Sequence, residues 1–301
     1  MTPLALYALF IALPSLICFL NLFSHCEGRT LDESVASGSY LAPYADLLLP
    51  ALRRVEALDW RWVETSAADG ARLSARYLPG EGERVALLLH GYRAEAMGHF
   101  CTQIEFLRAQ GFGILLADER AHGRSGGTLT GLGLLEGEDI FVWLAWIEAE
   151  RPGAKVLIYG MSMGCSAAAY VSDRLPPYLV KAMVLDCGYT EPYIQLSREC
   201  ERRRLPTGLM MPCVLLLGKL LLGRDLRERT TGPLSGTWIP ALFFHGEADS
   251  TVPVEQGREN YEACASEKDC LFLPGADHTL TFPAGGEAAE KKLLALIEDN
   301  F

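Results

Sequence analysis

The chain has 301 residues, half of them hydrophobic and 22% charged, which is enough to bury one full core and too apolar to remain disordered. Its formal net charge of −11 argues against nucleic acid as a partner. Nine cysteines are present with no C-x-x-C pair and no His/Cys cluster at ligand spacing, so no metal site is expected and a reducing compartment is favoured.

Residues Pro3 to Phe23 carry no charge, and as a helix they would span about 31 Å, the thickness of a bilayer core. Residues 1–23 are therefore expected to form a single-pass transmembrane anchor. No Lys or Arg precedes the run, which argues against a cleaved signal peptide. Arg29 is offset by Glu27, Asp32 and Glu33, so charge does not orient the span. Cysteine usage tips the choice toward a cytoplasmic domain. Residues 24–59 read as a connector with an amphipathic helix over Tyr44–Ala57.

Trp60–Thr65 and Leu73–Leu78 are β-rich runs around Asp69-Gly70, the signature of a hairpin. Continuous apolar runs follow at Val85–Leu89, Gly113–Ala117, Lys155–Tyr159, Ala182–Leu185, Ala241–Phe244 and Asp269–Leu273. Between them lie helical stretches at Met97–Gln110, Glu136–Glu150, Cys165–Leu175 and Val254–Ala263, with a last helix from Glu287. Strands alternating with long helices predict an α/β domain with a mostly parallel, doubly wound sheet over 60–301. Residues 191–237 break the alternation with an arginine patch at Arg198–Arg204 and an apolar run, Leu209–Leu222. This segment is expected to be a helical lid inserted between two strands.

The strand at Lys155–Tyr159 runs straight into Gly160-Met161-Ser162-Met163-Gly164 and then into a helix. A serine on so tight a turn needs small residues two before and two after it, and it stands at the positive end of a helix. A serine nucleophile needs a base, and the base needs a carboxylate to orient it. Asp249 and His278 each lie just past a strand, in that chain order. Asp186, which also ends a strand, ranks second as the acid. The backbone N–H groups of Met163 and Tyr92 are the expected oxyanion donors, because Gly91 lets the chain turn sharply after His90. His90 and His122 read as loop histidines, and Arg120 as the partner of a carboxylate.

These segments resemble the α/β-hydrolase superfamily from about Trp60 to Phe301. They are Leu89-His90-Gly91-Tyr92, Asp118–Ser125, Gly160–Gly164, Ile239–Asp249 with Val252-Pro253, and Gly275–His278. The prolyl-oligopeptidase-like and carboxylesterase-like branches, including membrane-anchored bacterial members, look most similar. The resemblance implies a serine hydrolase of ester or thioester bonds working without a cofactor, on a small-molecule or lipid-like substrate. The chain is too short for the propeller of the large prolyl peptidases. A peptidase or amidase with the same triad is the alternative, and a non-catalytic binding protein of the same fold the rival from another class. Oligomeric state is not readable.

Overall fold

The computed structural model describes Thr2 and residues 8–301. A π-helical turn at Ala8–Ala12 leads into α1 (Leu13–Phe23), followed by α2 (Leu31–Ala36) and α3 (Ala45–Glu56). The hairpin β1 (Arg61–Ser66) and β2 (Arg72–Leu78) opens the sheet. Then come β3 (Arg84–Leu89), α4 (Ala96–Ala109), β4 (Gly113–Ala117), α5 (Glu136–Glu150), β5 (Lys155–Met161), α6 (Met163–Tyr170) and β6 (Val180–Asp186). Three helices separate β6 from the next strand: α7 (Pro192–Arg202), α8 (Thr207–Leu217), continued by a π-helical turn at Gly218–Leu222, and α9 (Thr231–Leu234). The chain closes with β7 (Ala241–Gly246), α10 (Val254–Ala263), β8 (Lys268–Leu273), α11 (Thr281–Gly285) and α12 (Glu287–Asn300).

The strands form one eight-stranded sheet in the order β1-β2-β4-β3-β5-β6-β7-β8. The β1–β2 and β2–β4 pairs are antiparallel and all others parallel. Beyond the partly exposed Arg84 and Lys155 that open β3 and β5, the central strands are buried at every position because helices cover both faces of the sheet. Phe100, Ile104 and Leu107 of α4 pack on one face with Leu52, Val55, Leu293 and Ile297. Ile140, Trp143, Ala168 and Val171 pack on the other. The parallel strands end on the same edge of the sheet, and the loops that follow β3, β5, β7 and β8 meet there.

The elements follow the expected order, with one correction at the N-terminus. Pro3–Tyr7, the first part of the expected membrane span, lie outside the described residues. Among the described residues no helix is long and apolar enough to cross a membrane. The remainder of the run is divided between the π-helical turn and the eleven-residue α1, which packs against α8. Phe19 and Phe23 are fully buried in the same cluster as Met211, Val214 and Leu222. The apolar stretch thus buries one of its faces on the inserted helices. The connector beyond it is also bound down: Ser24, Cys26 and Arg29 form isolated bridges to Leu129, His122 and Ala94.

Candidate active site

Between β5 and α6 the chain reverses direction at Ser162, whose backbone sits at φ 55° and ψ −111°. A non-glycine residue in that region costs on the order of 1–3 kcal/mol and persists only where its surroundings fix it. Two hydrogen bonds do so here, from Ser162 N–H to the Asp186 carbonyl at 2.8 Å and from Gly164 N–H to the His90 carbonyl at 3.2 Å. Flanking side chains have no room: a Cβ on Gly160 would strike the Gly164 carbonyl, and one on Gly164 the Leu89 carbonyl. The spacing of small residues in the sequence is this collision avoided.

The loops after β7 and β8 bring two further side chains to the serine. His278 Nε2 lies 3.0 Å from Ser162 Oγ, and His278 Nδ1 lies 2.7 Å from Asp249 Oδ2. Asp249 Oδ1 accepts the backbone N–H groups of Thr251 and Val252 at 2.8 and 2.7 Å. Burial works against ionising this side chain. The charge of His278 and hydrogen bonds from His245 and His278 outweigh it, holding the carboxyl well below the usual range. Asp277 ties the two loops together, accepting from Ser250 N–H and Oγ at 2.8 and 2.9 Å and from its neighbour's N–H, that of His278, at 2.7 Å.

Asp186, the second-ranked acid, is fully buried at the end of β6 and accepts the Tyr159 hydroxyl at 3.1 Å. Burial pushes its carboxyl up to about 7. Of the two carboxylates, Asp249 is the one hydrogen-bonded to the histidine.

The β3 loop faces Ser162 from the other side. A Cβ on Gly91 would come within 3.1 Å of the Ser162 Cβ, so only glycine lets this backbone approach the serine. Tyr92 and Met163 flank the serine, and among the described residues neither N–H has a backbone acceptor. His90 and His122 act as latches between loops. His90 Nε2 accepts Glu119 N–H at 2.9 Å, so its Nδ1 carries the proton given to the Gly91 carbonyl at 2.7 Å. His122 Nε2 likewise accepts Arg93 N–H at 3.1 Å, and its Nδ1 donates to the Arg120 carbonyl. Burial lowers both rings to about 4, keeping them neutral. Arg120 grips Asp139 with two nitrogens at 2.7 and 2.6 Å and Asp69 with a third at 2.8 Å.

Four neighbours of the site carry no role in the sequence reading. His245 Nε2 stands 3.3 Å from Asp249 Oδ2 and bonds the Val252 carbonyl at 2.9 Å. His99 Nδ1 accepts the Gly91 N–H at 3.2 Å, and burial lowers the ring to about 3. Tyr40, from the N-terminal connector, sets its ring edge-on to His278 at 6.4 Å. Cys187, at φ 47°, lies beside the Asp249–His278 pair. Cys187, Asp249 and His278 each place one donor atom within 4.8 Å of the others, a set that could hold an ion. However, the Asp249 and His278 atoms are 2.7 Å apart. Two ligands of a tetrahedral metal at about 2.0–2.3 Å would stand wider than that, so the pair is built to share a proton.

Ser162 opens into a cavity of about 510 Å³ lined by Leu22, Tyr92, Leu132, Tyr189, Leu196 and the arginines Arg93, Arg198, Arg202 and Arg203, among others. Gln195, also in the wall, has a buried Nε2 with no hydrogen-bond partner among the described residues.

The chain is similar to several known proteins. A family model described as serine aminopeptidase, S33, matches residues 80–201. YfhR of Escherichia coli K12 is 23% identical over 225 residues, covering 73% of this chain and 74% of that protein. The lysophosphatidylserine lipase ABHD12 of Danio rerio is 25% identical over 240 residues, covering 76% of this chain and 59% of that protein. Among solved structures, the Pyrococcus furiosus esterase Pf2001 superposes with a TM-score of 0.67 at 22% identity, over 82% of this chain and 93% of the esterase.

Proposed function

The chain belongs to the α/β-hydrolase superfamily, and from that premise we propose that it is a serine hydrolase of carboxylic esters with an apolar acyl chain, working through an acyl-enzyme on Ser162. The observation that carries this reading is the unbroken run Ser162 Oγ, His278, Asp249, at 3.0 and 2.7 Å, opening on the 510 Å³ cavity.

The chemistry follows from the hydrogen bonds. Ser162 Oγ attacks the ester carbonyl carbon while its proton passes to His278 Nε2. Asp249 holds the Nδ1–H tautomer, and its ionised carboxylate stabilises the imidazolium. The negative charge that develops on the carbonyl oxygen is met by the N–H groups of Met163 and Tyr92 and by the N-terminus of α6. His278 then returns its proton to the departing alkoxide oxygen. Water, deprotonated by the same histidine, attacks the acyl carbon and frees the acid and Ser162. No cofactor takes part.

The cavity wall supports a substrate with an anionic group. Arg93, Arg198, Arg202 and Arg203 line it beside Glu199 and Glu201, with Arg202 and Arg203 paired to Glu199, so that cations outnumber carboxylates, and among the described residues Gln195 Nε2 is a donor with no partner. An ester of an acyl chain with a negatively charged head suits it, as the name of the Danio rerio relative, a lysophosphatidylserine lipase, describes for that protein.

The test is a substrate panel of p-nitrophenyl esters of graded length, anionic and zwitterionic lysophospholipids, and aminoacyl amides, together with labelling by a fluorophosphonate. Expected are labelling abolished by Ser162→Ala and turnover of esters above amides, with anionic lipids preferred. Unchanged labelling in Ser162→Ala overturns the nucleophile, and faster turnover of amides overturns the substrate class.

A further inference from the structure

Large apolar side chains that face water are unevenly distributed over this molecule. Of the thirteen exposed among the described residues, nine sit on two helices packed against one another and the π-helical turns that adjoin them. Leu9 and Phe10 on the first π-helical turn and Leu13, Ile17 and Leu20 on α1 form one stripe. Leu209 and Leu216 on α8, and Leu220 and Leu221 on the turn after it, form the other. Phe10 and Leu220 are 64% and 69% exposed. In each case the stripe lies opposite the face that is buried. Ser15, Phe19 and Phe23 point inward from α1, and Met210, Met211 and Val214 from α8. A helix on a water-facing surface ordinarily carries polar residues outward, and a contiguous apolar patch of this kind marks a contact surface.

Charge indicates the contact. From residue 3 to 26 and from 205 to 223 there is no carboxylate, and Lys219 is the sole Lys or Arg. Beside the patch, the end of α7 and the turn after it carry Arg198, Arg202, Arg203 and Arg204. Arg202 and Arg203 pair with Glu199, whereas Arg198 and Arg204 are exposed and enter no ion pair among the described residues. Four arginines against Glu199 and the exposed Glu201 leave this edge with a positive excess, on a chain of net charge −11. The cavity over Ser162 opens at the same border, between Leu22 at the end of α1 and Leu196 and Arg198 of α7.

We infer that the shared outer face of α1 and α8 is a docking surface for an anionic phospholipid bilayer, on which the protein lies without crossing it. The leucines and Phe10 enter the acyl boundary, and the arginine edge meets the headgroups. A second copy of the same face would instead bring like-charged guanidinium groups toward one another. Docked this way, the mouth of the cavity meets the lipid, so an acyl chain can pass to Ser162 without entering bulk water. The docking stands without the hydrolase reading, and only this last use of it rests on that reading.

The experiment is flotation of the full chain with vesicles of phosphatidylcholine, alone or mixed with phosphatidylglycerol. Wild type and Ser162→Ala should float equally, and both more with the anionic vesicles, so that failure of docking is separable from failure of catalysis. Combining Leu13→Ser, Ile17→Ser, Leu216→Ser and Leu220→Ser should lower the bound fraction at least tenfold and leave turnover of a short water-soluble ester unchanged. Arg204→Glu should erase the preference for phosphatidylglycerol. In Phe10→Trp, adding vesicles should shift the fluorescence to the blue. The inference is overturned if wild type does not float and Phe10→Trp does not shift, or if the fourfold variant floats like wild type. It is equally overturned if wild type is a dimer that the fourfold variant converts to monomer, which would make a second copy the occupant.

Discussion

Strands β6 and β7 lie side by side, and each delivers one carboxylate to the same edge of the sheet. Asp186 ends β6, where its carboxyl accepts the Tyr159 hydroxyl and no backbone N–H among the described residues, and burial pushes that carboxyl up to about 7. Asp249 lies three residues beyond β7, where two backbone N–H groups and two imidazoles surround it and keep it ionised. Both side chains are buried. The difference is the count of donors around each, which decides whether a buried carboxyl is a charge or a neutral hydrogen-bonding group. A strand-end position alone does not make an acid catalytic.

The strongest way to break this comparison is at Asp249. Asp249→Asn should lower kcat for a p-nitrophenyl ester by about 10⁴, the scale at which a mis-set histidine tautomer acts, with fold and melting temperature little changed. If it stays active while Asp186→Asn is dead, the two roles are reversed.

A smaller effect is expected at the neighbouring histidine. His245→Leu removes one donor to a charged group, worth about 1.5–3 kcal/mol, and should lower kcat by at least tenfold. With that donor gone the Asp249 carboxyl rises toward its usual range, so the acid limb of the pH–rate profile should move to higher pH. An unmoved limb would make His245 a packing residue only.

The smallest effect on rate belongs to Asp186→Asn, which should stay within about threefold of wild type. Its signature is in stability. The folded value near 7 lies above the ordinary one of 3.8, so below the unfolded value both states hold the proton. As pH rises toward 7, only the folded wild type keeps it, and wild-type stability falls. The Asn variant escapes this loss and should gain up to about 1.4 kcal/mol per pH unit relative to wild type across that window, read as a melting-temperature difference that widens with pH. A constant difference would mean Asp186 is ionised in the fold.

The sheet and the turn at Ser162 are legible in the sequence because both depend on local pattern, whereas Asp249 and His278 are singled out only by their order past two strands. A strand buried on both faces must be continuously apolar, as Val85–Leu89 is, and a serine on a strained turn demands Gly160 and Gly164. The second support of the site had no such signature. His245, His99 and Tyr40 act through neighbours 4 to 238 residues away along the chain, and each is an ordinary side chain in its own segment. The N-terminal run is ambiguous for a different reason. An uncharged stretch is what a bilayer requires and also what a groove on α8 requires, and composition does not separate the two.

The way Phe19 and Phe23 are buried also has a consequence for how the protein is made. Their cover, α8, is translated roughly 190 residues after them, which at about 5–20 residues per second leaves the stretch uncovered for roughly 10–40 seconds. Tyr92 and Arg93, whose side chains bond the Leu22 and Asn21 carbonyls, offer an earlier foothold. During that interval the nascent chain presents an apolar helix to whatever meets it at the ribosome. The order of synthesis makes this segment a natural client for chaperones or the insertion machinery before the hydrolase domain can claim it.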